Sequence, residues 1–187
     1  MLRVTEEAHV RVKALLREGD FVVDATAGNG HDTRLLSECV GDAGHVWAFD
    51  LQAVAIERTR ALLVAHGMAD NVTLIEASHA ALAQYVPEKV HGQIALAMFN
   101  LGYLPSGDKA VTTHTPSTLQ ALAQAVHCLR TRGVLSVICY PGHSAGAEEA
   151  DEVERWLAAQ PGMKVETLKP AGTQRPSPFL LWAVKEQ

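Results

Sequence analysis

Several protein classes are excluded by what this sequence has little of. Its three cysteines, Cys39, Cys128 and Cys139, are odd in number and widely spaced, so they build neither a disulfide framework nor a Cys-x-x-Cys metal knuckle. Positive charge is in deficit. The chain has 16 Lys+Arg against 21 Asp+Glu, a formal charge of −5, which argues against gripping nucleic acid by bulk charge while leaving room for a local basic patch. No apolar run approaches the ~20 residues of a membrane helix; the longest lies near Ile94 to Phe99. The N-terminus turns acidic at Glu6-Glu7 and lacks the apolar core of a signal peptide. These absences lead us to expect a cytoplasmic domain with no membrane partner and no metal. The composition itself, 48% apolar and 20% charged, is that of an ordered globular chain. At 187 residues it suits one domain spanning residues 1–187.

Short β-rich runs alternate with helical patterns from end to end. A helix begins at Val4 with Thr5 as its N-cap, carries Ala8, Val12, Leu15 and Leu16 on one face, and stops at Gly19-Asp20. Strands are expected at Phe21–Ala25, His45–Asp50, Val72–Glu76, Gly92–Asn100 and Val134–Tyr140. Between them lie helices carrying Leu35 and Leu36, spanning Ala53–His66, around His79–Tyr85, and starting at Thr115-Pro116, where Pro suits the first helical position. A further helix covers Glu148–Gln160. Gly92–Asn100 is nearly all apolar, the pattern of a strand covered on both faces. The last two strands, Met163–Leu168 and Phe179–Val184, are joined by too short a loop for a crossover helix and should pair antiparallel. The expectation is an α/β, Rossmann-like, doubly wound sheet of seven strands. It is mostly parallel, with an antiparallel last strand and helices on both faces. In such sheets ligands bind beyond the carboxyl ends of the strands.

The candidate functional residues all fall at such ends. Asp24-Ala-Thr-Ala-Gly28-Asn-Gly30-His-Asp32 follows a strand and opens a helix. Gly28 and Gly30 permit a turn that a β-carbon forbids and let the backbone approach a ligand, and the helix N-terminus offers amide donors. Position 33 is Thr, so the dinucleotide fingerprint Gly-x-Gly-x-x-Gly fails. What remains is Asp-x-x-x-Gly-x-Gly, common where S-adenosyl-L-methionine (AdoMet) binds. Asp24 either accepts from the ligand's ammonium or fixes the loop. Asp50, at the end of the second strand, either accepts from both ribose hydroxyls or caps the next helix. After the third strand comes Glu76-Ala77-Ser78-His79, where Ser78 is an adenine contact or an N-cap.

Asn100-Leu-Gly-Tyr103-Leu-Pro105, after the fourth strand, is similar to the Asn-Pro-Pro-Tyr motif of enzymes that methylate amino nitrogens. An amine is a donor, and an Asn Oδ1 with nearby carbonyls supplies acceptors; Tyr103 can stack on a planar base. The alternative is an Asn and a Gly serving a turn. Tyr140-Pro-Gly-His143 opens onto the same rim. There His143, with an ordinary pKa of ~6.5, is either a proton acceptor or a plain surface histidine. Lys109 and Arg175 are candidate phosphate contacts or solvated charges.

Taken together these segments resemble the YtqB/MnmM group of class I AdoMet-dependent methyltransferases, long labelled rRNA methylases. The resemblance runs over nearly the whole chain. It covers Gly19-Asp20 with Asp24–Thr33, then Phe99–Pro105 with Gly107-Asp-Lys109, then Tyr140-Pro-Gly-His143 and Arg175-Pro-Ser-Pro178. Two departures stand out. Ala77-Ser78-His79 replaces an expected Asp-Ser-His or Asp-Gly-His, and the final loop lacks an Asn before Pro-Pro. The resemblance implies methylation of the aminomethyl group of 5-aminomethyl-2-thiouridine at the tRNA wobble position, with the anticodon stem-loop as partner; it is also compatible with a homodimer. Candidate cofactor contacts are Asp24, Thr26, Gly28, Asn29, Gly30, Asp32, Asp50, Gln52, Ser78, His79 and Asn100. Candidate catalytic residues are Asn100, Tyr103 and His143, and candidate substrate contacts are Tyr103, Lys109, Tyr140 and Arg175.

The expected chemistry is transfer of a methyl group to a neutral amine, in which alignment supplies on the order of 7–11 kcal/mol of the barrier. The acidic net charge keeps two other readings open. One is a methyltransferase for a small-molecule or protein amine; the other is a non-catalytic AdoMet-binding module.

Overall fold

A computed structural model describes residues 3–102, 112–142, 144–170 and 176–186. Its strands are β1 (Phe21–Asp24), β2 (His45–Asp50), β3 (Val72–Glu76), β4 (Ile94–Leu101), β5 (Leu129–Cys139), β6 (Met163–Leu168) and β7 (Phe179–Lys185). The helices are α1 (Val4–Leu15), α2 (His31–Val40), α3 (Ala53–Ala65), α4 (Leu82–Tyr85), α5 (Thr115–Cys128) and α6 (Ser144–Ala158), with a 3-10 turn at His79–Ala81 before α4. They form the expected seven-stranded sheet, in the order β3-β2-β1-β4-β5-β7-β6. The strands from β3 to β5 are parallel; β7 lies antiparallel between β5 and β6.

The period-two alternation of strand side chains sorts the core into two layers. Val23, Phe49, Ala97 and Phe99 face one way, against Leu82 of α4, Ala121 and Leu122 of α5, and Val153 and Leu157 of α6. Val22, Ala48, Leu96 and Met98 face the other way, against Ala8 and Val12 of α1 and Leu35 and Leu36 of α2. Both faces of β4 are therefore covered, which explains its unbroken apolar run. The chain builds outward from β1 through β2 to β3, then returns to place β4 on the other side of β1. That reversal opens a crevice at the carboxyl ends of β1 and β4.

Four boundaries differ from those expected of the sequence. The N-cap of α1 is Arg3, not Thr5; the Arg3 backbone N–H donates to Glu6 Oε2 at 2.8 Å. The helix also ends before Gly19-Asp20, with Leu16 as its C-cap. β5 begins at Leu129 rather than Val134. Its first half reads as a turn, Arg-Thr-Arg-Gly, yet Arg130 donates to the buried Asp20 at 2.6 Å. Gly133 is required there, because a β-carbon would sit 2.8 Å from the Arg130 and Ile94 carbonyl oxygens. Finally, α6 starts at Ser144 rather than Glu148, a first turn that the low helix propensity of Gly146 conceals.

Candidate active site

The crevice is a cavity of about 990 Å³ whose walls come from the ends of β1, β2, β4 and β5, from the Ala77–His79 turn, and from α1 and α5. Its floor is the loop after β1. Asp24 is fully buried and lies outside the cavity lining. It accepts from Thr33 Oγ1 at 2.6 Å and from the Thr26 N–H at 3.1 Å. Of the two roles open to it, the geometry shows the one that fixes the loop. Burial, reinforced by the negative charge of Asp32, pushes its carboxyl up to about 7, with the bonds from Thr33 and Thr26 acting the other way.

Gly30 caps α2 at φ 83. A β-carbon there would lie 2.9 Å from Thr59 Cα and Oγ1, so α3 closes against the loop only because position 30 has no side chain. The loop is also stitched to the strands beside it. The Ala27 N–H donates to the Phe49 carbonyl at 2.8 Å, and the Ala25 N–H to the Met98 carbonyl at 2.8 Å. The Gly28 N–H donates to Asp50 Oδ2 at 2.9 Å, while the Gln52 N–H donates to Asp50 Oδ1 at 2.9 Å. A carboxylate has about four lone-pair sites, so Asp50 keeps acceptor capacity on the oxygens that front the cavity. It does not cap α3, whose N-cap is Gln52; it braces the backbone of that residue instead. Gln52, Thr26 and Asn29 also line the cavity; Asn29 accepts from Arg58 at 3.2 Å.

The Ala77–His79 turn supplies the next wall. Ser78 is the N-cap of the 3-10 turn and accepts from the Ala80 N–H, and it is absent from the lining, unlike Ala77 and His79. His79 is buried against Phe99. A carbonyl oxygen only accepts, so the 3.1 Å contact to Ala25 places a proton on His79 Nδ1. Burial holds its pKa below the ordinary value; in the neutral ring Nε2 is an acceptor.

At the end of β4 the Asn100 N–H donates to Thr26 Oγ1 at 2.8 Å, and its side-chain Nδ2 donates to Asp32 Oδ2 at 2.6 Å. Because a carboxylate only accepts, this contact fixes which way the amide faces. Asn100 Oδ1 is consequently an acceptor, buried, with no partner among the described residues. The other oxygen of Asp32 accepts from His9 Nε2 at 2.6 Å. Tyr140 stands beside Gly102 at the same end; burial, and next the charge of Asp32, raise its hydroxyl pKa. Near this end the Thr113 N–H donates to the Gly102 carbonyl at 3.0 Å, and Thr113 Oγ1 donates to the buried Glu149 at 2.6 Å.

The fold thus brings Thr26, Gly28, Asn29, Asp32, Asp50, Gln52, His79, Asn100 and Tyr140 around one cavity. Tyr103, Lys109, His143 and Arg175 lie outside the described residues. Thr5 and His9 of α1 escaped the sequence reading, as did His114 and Ser117 at the start of α5. The first pair are four residues apart, on one helical face beside the buried stripe of Ala8 and Val12, a spacing that does not by itself separate a site from a solvated face. Among the described residues no group of His, Cys, Asp and Glu is arranged to hold a metal ion, and no helix is long and apolar enough to cross a membrane.

Known proteins share this fold. A crystal structure described as that of a "putative rRNA-methylase" from Clostridium thermocellum superposes with a TM-score of 0.93 at 36% identity, covering 99% of this chain and 98% of the other. A "putative methyltransferase" from Streptococcus mutans, solved in complex with SAH, gives 0.87 at 32% identity, with 99% of each chain covered. The Arabidopsis thaliana protein named tRNA (mnm(5)s(2)U34)-methyltransferase, chloroplastic, is 38% identical over 167 residues; the match spans 85% of this chain but only 60% of that relative. The architecture is that of a Rossmann-like methyltransferase. With a family model matching residues 46–184, the chain belongs to the family described as "Putative rRNA methylase".

Proposed function

We propose that the chain is an AdoMet-dependent RNA N-methyltransferase. Its proposed substrate is the aminomethyl group of 5-aminomethyl-2-thiouridine at the tRNA wobble position, and its product the 5-methylaminomethyl nucleoside. The observation that carries this reading is Asn100 Oδ1, buried and without a partner among the described residues, beside a nucleoside-sized cavity. A buried acceptor left without a donor costs about 1–3 kcal/mol, and a substrate amino group supplies that donor. The wobble nucleoside follows the name of the Arabidopsis relative and the motifs that carry the family resemblance.

The residues present fit AdoMet. Asp50 offers its remaining lone pairs to a ribose diol. Gly28 and Asn29 offer a close backbone approach on the cavity floor, and Leu51 and Ala77 offer apolar walls for a purine. His79 Nε2 stands as the acceptor on the wall where relatives tend to carry an acid. When bound, AdoMet supplies an electrophilic methyl group on a sulfonium. The chain supplies position and water exclusion. Asn100 Oδ1 accepts one N–H of the amine and so orients the nitrogen lone pair, Tyr140 walls the base, and partial desolvation favours the neutral amine that must react. Tyr103 is proposed to stack on the base and His143 to accept the proton lost by the amine, with Lys109 and Arg175 meeting phosphates of the anticodon stem-loop. A homodimer would widen the RNA-facing surface of this acidic chain.

The test incubates the protein with methyl-labelled AdoMet and tRNA from cells lacking the modification. Label in the wobble nucleoside is the expected result. Label confined to a small molecule or protein, or cofactor binding with no transfer, would overturn the assignment.

A further inference from the structure

The sequence reading gave α1 no part in the site, yet it carries a cavity-lining histidine bonded to a carboxylate that itself holds Asn100. We propose that His9 is a positioning residue. It grips one oxygen of Asp32, so that Asp32 holds the Asn100 amide with Oδ1 turned to receive an N–H donor at the reacting centre. The identity of that donor as the substrate amine rests on the function proposed above; the positioning itself does not.

Three observations converge. Both bonds of the chain are short, 2.6 Å from His9 Nε2 to Asp32 Oδ1 and 2.6 Å from Asn100 Nδ2 to Asp32 Oδ2. Each oxygen of Asp32 thus has its own donor. A carboxylate held by one side chain can swing about its last bond, whereas one held by two in different elements cannot do so without breaking a charge-assisted contact. Asp32 is also mostly buried, with 15% of its side chain exposed, so water substitutes poorly for a lost partner. Finally, the Asn100 acceptor left over is buried and has no partner among the described residues. An amide free to turn would place its NH₂ where an incoming ammonium or amine must donate, setting donor against donor.

The position of α1 does not depend on His9. Ala8, Val12 and Leu16 sit in the core beneath it. On its outer side Arg11 donates to both oxygens of Glu166 on β6, at 2.7 and 3.1 Å, and lies over the Trp182 ring. Removing the imidazole therefore leaves the helix seated while releasing one side of Asp32. This separates a positioning role from a stability role.

The test reads the site without methyl transfer. Sinefungin carries an amine-bearing carbon where AdoMet has its methyl sulfonium; SAH lacks both. The ratio of their affinities, by calorimetry, reports whether an acceptor faces that position. The wild-type protein should prefer sinefungin by about tenfold or more, and N100A should lose the preference. H9A should lose most of it while binding SAH and melting as the wild type does. H9Q, whose side-chain N–H can still donate to a carboxylate, should restore it. A second readout needs no cofactor. The side-chain amide protons of Asn100, assigned by NMR from their absence in N100A, should be downfield-shifted and slow to exchange in wild type and H9Q, and should lose both features in H9A. An H9A protein that keeps the sinefungin preference, or unchanged Asn100 amide signals, overturns the proposal. Loss of SAH binding in the wild type would instead sink the proposed function and leave the NMR comparison to decide the role of His9.

Discussion

The two ends of the cavity are built differently. At the β1–β2 end, the polar groups that shape the loop find partners within the chain. Asp24 takes Thr33 and Thr26, and Asp50 takes Gly28 and Gln52. At the β4–β5 end, the central polar atom, Asn100 Oδ1, is buried and has no partner among the described residues. One end is a finished cradle that a ligand enters with few losses. The other carries an unsatisfied acceptor, the kind of group that native interiors rarely tolerate unless something arrives to use it. On the function proposed above, the first end holds the cofactor and the second meets the reacting amine.

The sharpest way to break this contrast is to mutate one residue at each end. Asn100→Ala should lower kcat on the order of 10²–10³-fold, as loss of a preorganised polar contact does. SAH affinity, measured by calorimetry, should stay within about twofold, because a group used only by the reacting amine contributes little to ground-state cofactor binding. Asp50→Ala should do the reverse and weaken SAH by about 10–100-fold through loss of charge-assisted hydrogen bonds. Similar losses in both quantities for both variants would erase the distinction.

A smaller effect is expected in stability. Gly30→Ala forces a β-carbon to 2.9 Å from the Thr59 backbone at a positive φ. It should cost about 2–4 kcal/mol in urea unfolding, combining left-handed strain with overpacking. Gly142→Ala, on the cavity wall and with open space around its added carbon among the described residues, should stay within about 0.5 kcal/mol. An equal cost at the two positions would show that the cradle is less tightly closed than its contacts imply.

The smallest effect is a pH dependence at Asp24. Its carboxyl, held at about 7 in the folded protein against an ordinary 3.8, keeps a proton that the unfolded chain has released across that interval. The folded state binds more protons there, so this group's contribution is fully present below about pH 4 and falls as pH rises toward 7. Asp24→Asn should remove that slope. The wild-type-minus-variant stability should be more favourable near pH 4.5 than near pH 8, by on the order of 1–3 kcal/mol. A flat difference would mean that Asp24 is ionised throughout.

The same contrast governs how much was legible in the sequence. The cradle is written in neighbouring residues, two glycines after a strand and an Asp closing the next strand, because the physics it uses is local backbone geometry. The mostly parallel, doubly wound sheet followed from alternating strands and helices, and the antiparallel β6–β7 pair from a short loop. The second end draws on His9, Asp32, Asn100 and Tyr140, which belong to different elements and meet only through packing. Asn100 was visible because its motif has a chemical logic of its own. His9 was not, since a histidine on an amphipathic helix looks the same whether it faces solvent or a carboxylate from another helix. The early start of β5 was hidden for a similar reason: the partner of Arg130 is Asp20, just before β1 and 110 residues away in the sequence.

The central claim is that one ligand spans both ends, with its ribose at Asp50 and its reacting centre at Asn100. A crystal structure with SAH tests it most directly. The predicted result is a ribose diol bonded to the Asp50 carboxylate and a sulfur beside Asn100, leaving a gap of roughly 3–3.5 Å for the reacting atoms. A ribose bound away from Asp50, or a sulfur on the far side of the cavity from Asn100, would contradict the account.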